Sequence, residues 1–128
     1  MSTALATIEF RPLVIPASID ADDAADFRAM ADVRNAVYRH VAGHDDHAMS
    51  AAELLPNYRP EPYEIRMSWL VLDDGRPVGR VGIDIPIETE SRVAYMLIEL
   101  LPDVWGRGIG TRALELVEGV ARDHGRTV

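Results

Sequence analysis

At 128 residues and 14.2 kDa, the chain has room for a single domain around one core. Its 48% hydrophobic and 27% charged residues are ordinary for a soluble globular protein, and no apolar stretch approaches the roughly 20 residues a membrane span needs. The absence of cysteine excludes disulfides and thiolate chemistry, and a formal charge of −8 argues against a nucleic-acid partner.

The N-terminus carries no basic segment followed by an apolar core, so no signal peptide is read there and a cytoplasmic location is expected. Met1 to Thr7 reads as a frayed lead-in. Ile8 to Ile15 reads as a first strand, with Pro12 suggesting an edge position. Ser18 or Asp20 can cap the helix that follows, and Asp22, Asp23 and Asp26 place negative charge near its N-terminus, where the helix dipole favours it. Phe27, Met30, Ala31, Val37, Tyr38 and Val41 trace one apolar face to about residue 42. That stripe reads as core.

Gly43-His44-Asp45-Asp46-His47, with His40 one turn earlier, offers imidazole and carboxylate groups of the kind that suit zinc. Gly43 interrupts the helix that would align His40 with His44, and no fixed-spacing metal motif is matched. A solvated acidic loop is the reading adopted, with no metal site. A short helix follows from Ala48 to Leu55. Pro56, Pro60 and Pro62 then mark an extended loop that carries Tyr58 and Tyr63.

Arg66 to Leu72 and Val78 to Ile87 flank Asp73-Asp74-Gly75-Arg76-Pro77, a hairpin signal in which Asp-Gly supplies the turn. Val81, Ile83, Ile85 and Ile87 alternate with Gly82, Asp84, Pro86 and Glu88, which predicts one buried face and one open face. Thr89-Glu90-Ser91 reads as the next turn. The mostly apolar run from Val93 to Leu101 predicts a strand buried on both faces. Beyond Ile109 the apolar positions Ala113, Leu116, Val117, Val120 and Ala121 follow a helical period, and Gly125 marks its stop.

Between that strand and that helix lies Trp105-Gly106-Arg107-Gly108-Ile109-Gly110-Thr111. Glycines let a backbone come close to a ligand, and the unpaired N–H groups of a helix's first turn attract an anion. The run is not a Walker loop, because Thr111-Arg112 stands where Lys-Ser or Lys-Thr is needed, and this removes nucleotide hydrolysis from consideration. Nor is it the dinucleotide fingerprint, because the glycines lie two apart, at 106, 108 and 110.

The stretch resembles the acyl-CoA pyrophosphate loop of the GNAT superfamily of N-acyltransferases. That loop reads Arg/Gln-x-x-Gly-x-Gly/Ala after a strand ending in hydrophobic-x-Pro, here Leu100-Leu101-Pro102. Trp105 departs from the pattern, standing where Arg or Gln is usual. The element order β-α-α-β-β-β-α is also that of the family, from about Ile8 onward. The resemblance therefore implies a mixed α/β (α+β) fold with a largely antiparallel central sheet flanked by helices. It further implies that residues 1–128 form one such domain lacking its fifth strand and the elements beyond it. That would leave the open side of the fourth strand as an association hazard.

The implied chemistry is acetyl transfer from acetyl-CoA to a primary amine by direct attack. Backbone N–H groups near Leu100 would hold the pantetheine arm. The amides of Gly106, Arg107, Gly108, Ile109, Gly110 and Thr111 would hold the pyrophosphate, with Arg107 and Arg112 adding positive charge. Glu99, the only acid inside the central strand, is the candidate general base. The alternatives for Glu99 are an acid facing solvent or a salt-bridge partner of Arg92 or Arg80. The family's usual general acid, a tyrosine after the fifth strand, would lie beyond Val128, and Tyr95 is not put in its place. Acceptor contacts would come from the first two helices and the Pro-rich loop, including Tyr58 and Tyr63. Aminoglycoside, polyamine, amino acid and protein N-terminus remain open as acceptors. A second reading keeps the fold without catalysis, as a structural or partner domain of a larger, tandem acetyltransferase; the protein partner expected under either reading is a homodimer mate or a second GNAT domain.

Overall fold

The computed structural model describes residues 7–87 and 91–128; the expected lead-in before Thr7 and most of the turn at 89–91 lie outside them. Four antiparallel strands form one sheet in the order β1-β2-β3-β4, with β1 spanning Ile8–Pro12, β2 Glu64–Asp73, β3 Arg76–Pro86 and β4 Tyr95–Leu100. Helices α1 (Ala25–Ala42) and α2 (Ala51–Leu54), with a 3₁₀ turn at Leu55–Tyr58, cover one face; α3 (Ile109–Asp123) covers the other. The expected mixed α/β architecture and element order are the observed ones.

The β2–β3 hairpin turns through Asp74 and Gly75, whose φ angles of 50° and 83° are the left-handed pair that a type I′ turn requires. It is the longest pairing in the sheet, from Asp73↔Arg76 to Glu64↔Pro86. Side chains then alternate between two cores. Val71, Val81, Ile83 and Ile85 pack with Ala113, Val117 and Ala121 of α3. Leu70 and Leu72 pack with Phe27, Met30 and Ala31 of α1 and with Leu54 and Leu55.

Several boundaries differ from the sequence reading. α1 begins at Ala25 on an uncapped Ala24, because Ser18 Oγ accepts from the Asp20 N–H in a separate turn. β1 ends at Pro12, although the Leu13 N–H still donates to Ser68 O at 2.8 Å. α2 starts only after Ser50, whose hydroxyl and Glu53's carboxylate make a reciprocal capping box at 3.1 and 3.0 Å. Val41 is 74% exposed, and Ile87 projects beyond the end of β3.

The largest correction concerns β4. It is an outer strand of this sheet rather than one buried on both faces, and its first half is exposed, with Tyr95 at 63%. An apolar run reports hydrophobicity but not whether a neighbour covers each side. Part of that outer edge is paired. The Ala94 N–H donates to Thr127 O and the Thr127 N–H to Arg92 O, both at 2.8 Å, making a parallel bridge between Val93 and Thr127.

Candidate functional site

The glycine-rich loop leaves the sheet at the end of β4. The Leu101 N–H donates inward to Val78 O at 2.8 Å, so the trans peptide turns the Leu100 carbonyl to the outer edge. A residue in a strand aims its own N–H and C=O the same way, so the Leu100 N–H also faces outward. Pro102–Val104 then form one 3₁₀ turn whose Val104 is buried, and Ile109 buries the start of α3.

Between these two anchors Gly106 and Gly108 take φ angles of 79° and 81°. A Cβ at either would meet nothing within 4 Å, so conformation, and not crowding, selects glycine there. The first hydrogen bond of α3 runs from the Arg112 N–H to Gly108 O at 3.2 Å. The N–H groups of Ile109, Gly110 and Thr111 stand ahead of it, at the positive end of a 15-residue helix. An anion suits that position, so the chemistry of the donor set fits a phosphate group. Gly110 is different: a Cβ there would make an ordinary 3.9 Å contact with Leu100 Cδ1.

Two ion pairs tie the loop to the hairpin. Arg107 Nη1 lies 2.7 Å from Asp73 Oδ2, and Arg76 Nη2 lies 2.7 Å from Asp103 Oδ2. The hydrogen bond from Arg107 holds the Asp73 carboxyl below its ordinary range, against the opposing effect of burial, and the same bond raises the Arg107 pKa. The positive charge expected of Arg107 is therefore partly spent on Asp73. The guanidinium of Arg112 sits 5.7 Å from the Phe10 ring centroid. Neither partnership was visible in the sequence, since Asp73 and Phe10 lie far from the loop along the chain.

Glu99 faces the α1 side of the sheet, where Arg80 reaches its Oε1 through both Nε and Nη2. Of the alternatives read from the sequence, the ion pair with Arg80 is the contact observed. Arg80 is only 7% exposed, and its Nη1 donates to the Tyr58 hydroxyl at 2.8 Å. Burial pulls the Arg80 pKa down, but the phenol oxygen of Tyr58 and the carboxylate of Glu99 outweigh it and the net shift is upward. Tyr58 is fixed in turn, edge-on to Phe27 with ring centroids 5.2 Å apart, and its hydroxyl donates to Met30 Sδ at 3.5 Å.

Tyr58 and Arg80 line a cleft of about 440 Å³ between the sheet and the helices, together with Arg34, Arg66, Asp84 and Tyr95 among others, whereas Glu99 borders a separate hollow of about 350 Å³ with Tyr38 and His47. Arg66 Nε holds Asp84 Oδ1 at 2.8 Å across the floor of the larger cleft. Tyr63, the other expected acceptor contact, is exposed and does not line it. His44 and His47 stand in an exposed loop, and among the described residues no group of three His, Cys, Asp or Glu could hold a metal ion.

Three comparisons bear on this arrangement. The model of the acetyltransferase (GNAT) family matches residues 19–128. A 26.1 kDa uncharacterised protein from the blaB 3′ region of Streptomyces cacaoi is 29% identical over 118 residues, covering 87% of this chain and 48% of that protein. Among solved structures, a tandem GNAT protein from the clavulanic acid biosynthesis pathway superposes with a TM-score of 0.68 at 21% identity, over 93% of this chain and 34% of its own. An acetyltransferase from Thermus thermophilus gives 0.64 at 19% identity, over 88% of this chain and 68% of its own. At these identities the structural likenesses establish the fold alone. The chain spans about half the length of the curated relative it matches and about a third of the tandem protein.

Proposed function

Because the chain belongs to the GNAT acetyltransferase family, we propose that it moves an acetyl group from acetyl-CoA to a primary amine by direct attack. The observation that carries this reading is the loop at the end of β4, where two left-handed glycines precede the free N–H groups of α3. The backbone N–H groups of Gly106, Arg107, Gly108, Ile109, Gly110 and Thr111 would hold the pyrophosphate, and the outward N–H of Leu100 the pantetheine arm. Acetyl-CoA supplies the thioester carbonyl that the amine attacks. The new C–N bond would form and the C–S bond break, and the proton shed by the nitrogen after attack would pass to the departing thiolate, which leaves as the CoA thiol.

Before attack the ammonium must lose a proton, and Glu99 is the group proposed to take it. Arg80 occupies Oε1 through two donors, which fixes the carboxylate and leaves Oε2 to receive the proton. The amine would reach Glu99 through the hollow that it shares with Tyr38 and His47, a small-molecule route that needs neither nucleic acid nor membrane. None of the described helices is long and apolar enough to cross a membrane. A cytoplasmic location belongs to the same reading, as does residues 1–128 forming one domain.

The test is release of free CoA thiol from acetyl-CoA across a panel of polyamines, amino acids and aminoglycosides. Turnover on one class, reduced about 100-fold or more in Glu99→Gln, is the expected result. Turnover unaffected by that substitution would remove Glu99 from the chemistry and leave its ion pair with Arg80 as a structural feature. A second reading is compatible with the superposition on a tandem GNAT protein. In it, this domain binds no donor and supports a catalytic second domain. Saturable acetyl-CoA binding by this chain would exclude it.

A further inference from the structure

Trp105 occupies the position where an anion-binding loop of this pattern carries Arg or Gln, whose donors can face a phosphate. An indole has one N–H, and here it is already engaged: Nε1 donates to Leu100 O at 2.9 Å. That carbonyl is the last outward-facing acceptor of β4. The ring is 54% exposed yet anchored at a second point, edge-on to His40 near the C-terminus of α1, with centroids 5.5 Å apart and an interplanar angle of 84°. Trp105 thus joins three elements: the end of β4, the last turns of α1, and Gly106, where the backbone turns left-handed.

We infer that Trp105 is a positioning residue that holds the Gly106 to Thr111 loop in its ligand-ready shape from the strand side, instead of contacting the anion. The inference rests on the acyl-donor reading of the loop. The geometry gives it a direct physical basis. The loop is clamped on one side by Arg107 with Asp73 and Arg76 with Asp103, and on the other by the indole. Holding Leu100 O also fixes the direction of the Leu100 N–H beside it. A ligand that meets a fixed loop loses less affinity to ordering than one that must order it.

The test compares the ¹⁵N-labelled 128-residue chain with Trp105→Phe, which keeps the ring edge and removes the donor, and with His40→Ala, which keeps the donor and removes the ring contact. Backbone relaxation order parameters at Gly106 to Thr111 are read without ligand, and acetyl-CoA affinity by calorimetry. The expected result is lower order parameters in Trp105→Phe, a smaller fall in His40→Ala, and acetyl-CoA affinity reduced about fivefold in Trp105→Phe. Slow exchange of the Trp105 indole N–H in the wild type is expected as well, and fast exchange would overturn the proposal. Unchanged order parameters in Trp105→Phe would also overturn it, and if affinity still fell the indole would be touching the ligand directly. Lower order parameters with no acetyl-CoA binding by the wild type would support the positioning role and sink the acyl-donor reading.

Discussion

Gly79 sits on β3 directly opposite Leu100, where the sheet hands over to the glycine-rich loop. A Cβ at Gly79 would fall 2.5 Å from Leu100 Cδ2 and 2.7 Å from Glu99 O. The leucine methyl can turn away, but the carbonyl oxygen belongs to the backbone of β4 and can move only if the strands part. Overpacking of this kind costs about 1–3 kcal/mol, and a backbone clash belongs at the upper end. Replacing glycine with alanine returns about 0.5–1 kcal/mol by restricting the unfolded chain. Gly79→Ala should therefore lose about 2 kcal/mol in urea denaturation, a midpoint shift of about 1 M at an ordinary slope for this size. Gly82→Ala is the internal control. Its Cβ would come no closer than 3.8 Å to any neighbour, so it should be neutral within about 0.5 kcal/mol or slightly stabilising. Equal effects at the two positions, or a loss below about 0.5 kcal/mol at Gly79, would refute the claim that close approach selects glycine there.

Other consequences follow from the ion pairs. Arg80→Ala removes the partner of a nearly buried carboxylate and should cost about 3 kcal/mol by denaturation, with Glu99→Gln costing less because, although it strips Arg80 of its counter-charge, its amide oxygen still accepts a hydrogen bond from the guanidinium. The folded Asp73 carboxyl is held below its ordinary value of 3.8, so its contribution to holding the loop is complete above that pH and is lost as pH falls through the lower folded value. An NMR titration of the Asp73 carboxyl should give a midpoint below 3.8 that returns toward it in Arg107→Ala; a wild-type midpoint at or above 3.8 would contradict the pairing. Ser50→Ala should destabilise the chain by about 1 kcal/mol through loss of the capping box that starts α2, and no measurable change would show that this short helix is held by packing alone.

Much of the fold was legible because local signals were strong. Asp-Gly between two apolar runs placed the β2–β3 turn, and the period of Ala113, Val117 and Ala121 placed the buried face of α3. The left-handed angles of Gly106 and Gly108 were not read from the sequence, where these glycines stood for close approach of the backbone to a ligand. What failed has a common cause: periodicity identifies an apolar face but not its neighbour. Val41 continues the α1 stripe yet stands exposed, and the apolar run of β4 is an outer strand with its first half open. Most contacts made across the sheet were equally invisible, the pair of Glu99 with Arg80 excepted, since it was among the alternatives read for that acid. Asp73 lies 34 residues before Arg107, and the Tyr58–Arg80–Glu99 network joins a 3₁₀ turn to two strands. Only three-dimensional proximity reveals that the arginine expected to serve the anion is shared with an acid, or that the one donor of Trp105 is engaged by Leu100 O.

The central claim is that the Gly106 to Thr111 loop binds acetyl-CoA. Calorimetric titration of acetyl-CoA into the 128-residue chain, with Gly108→Glu alongside, tests it most directly. The substitution puts a carboxylate and an unfavourable left-handed residue where the phosphates would sit. Saturable binding in the wild type that disappears in a folded Gly108→Glu is the predicted result. No binding by the folded wild type, or equal binding by both proteins, would contradict the account.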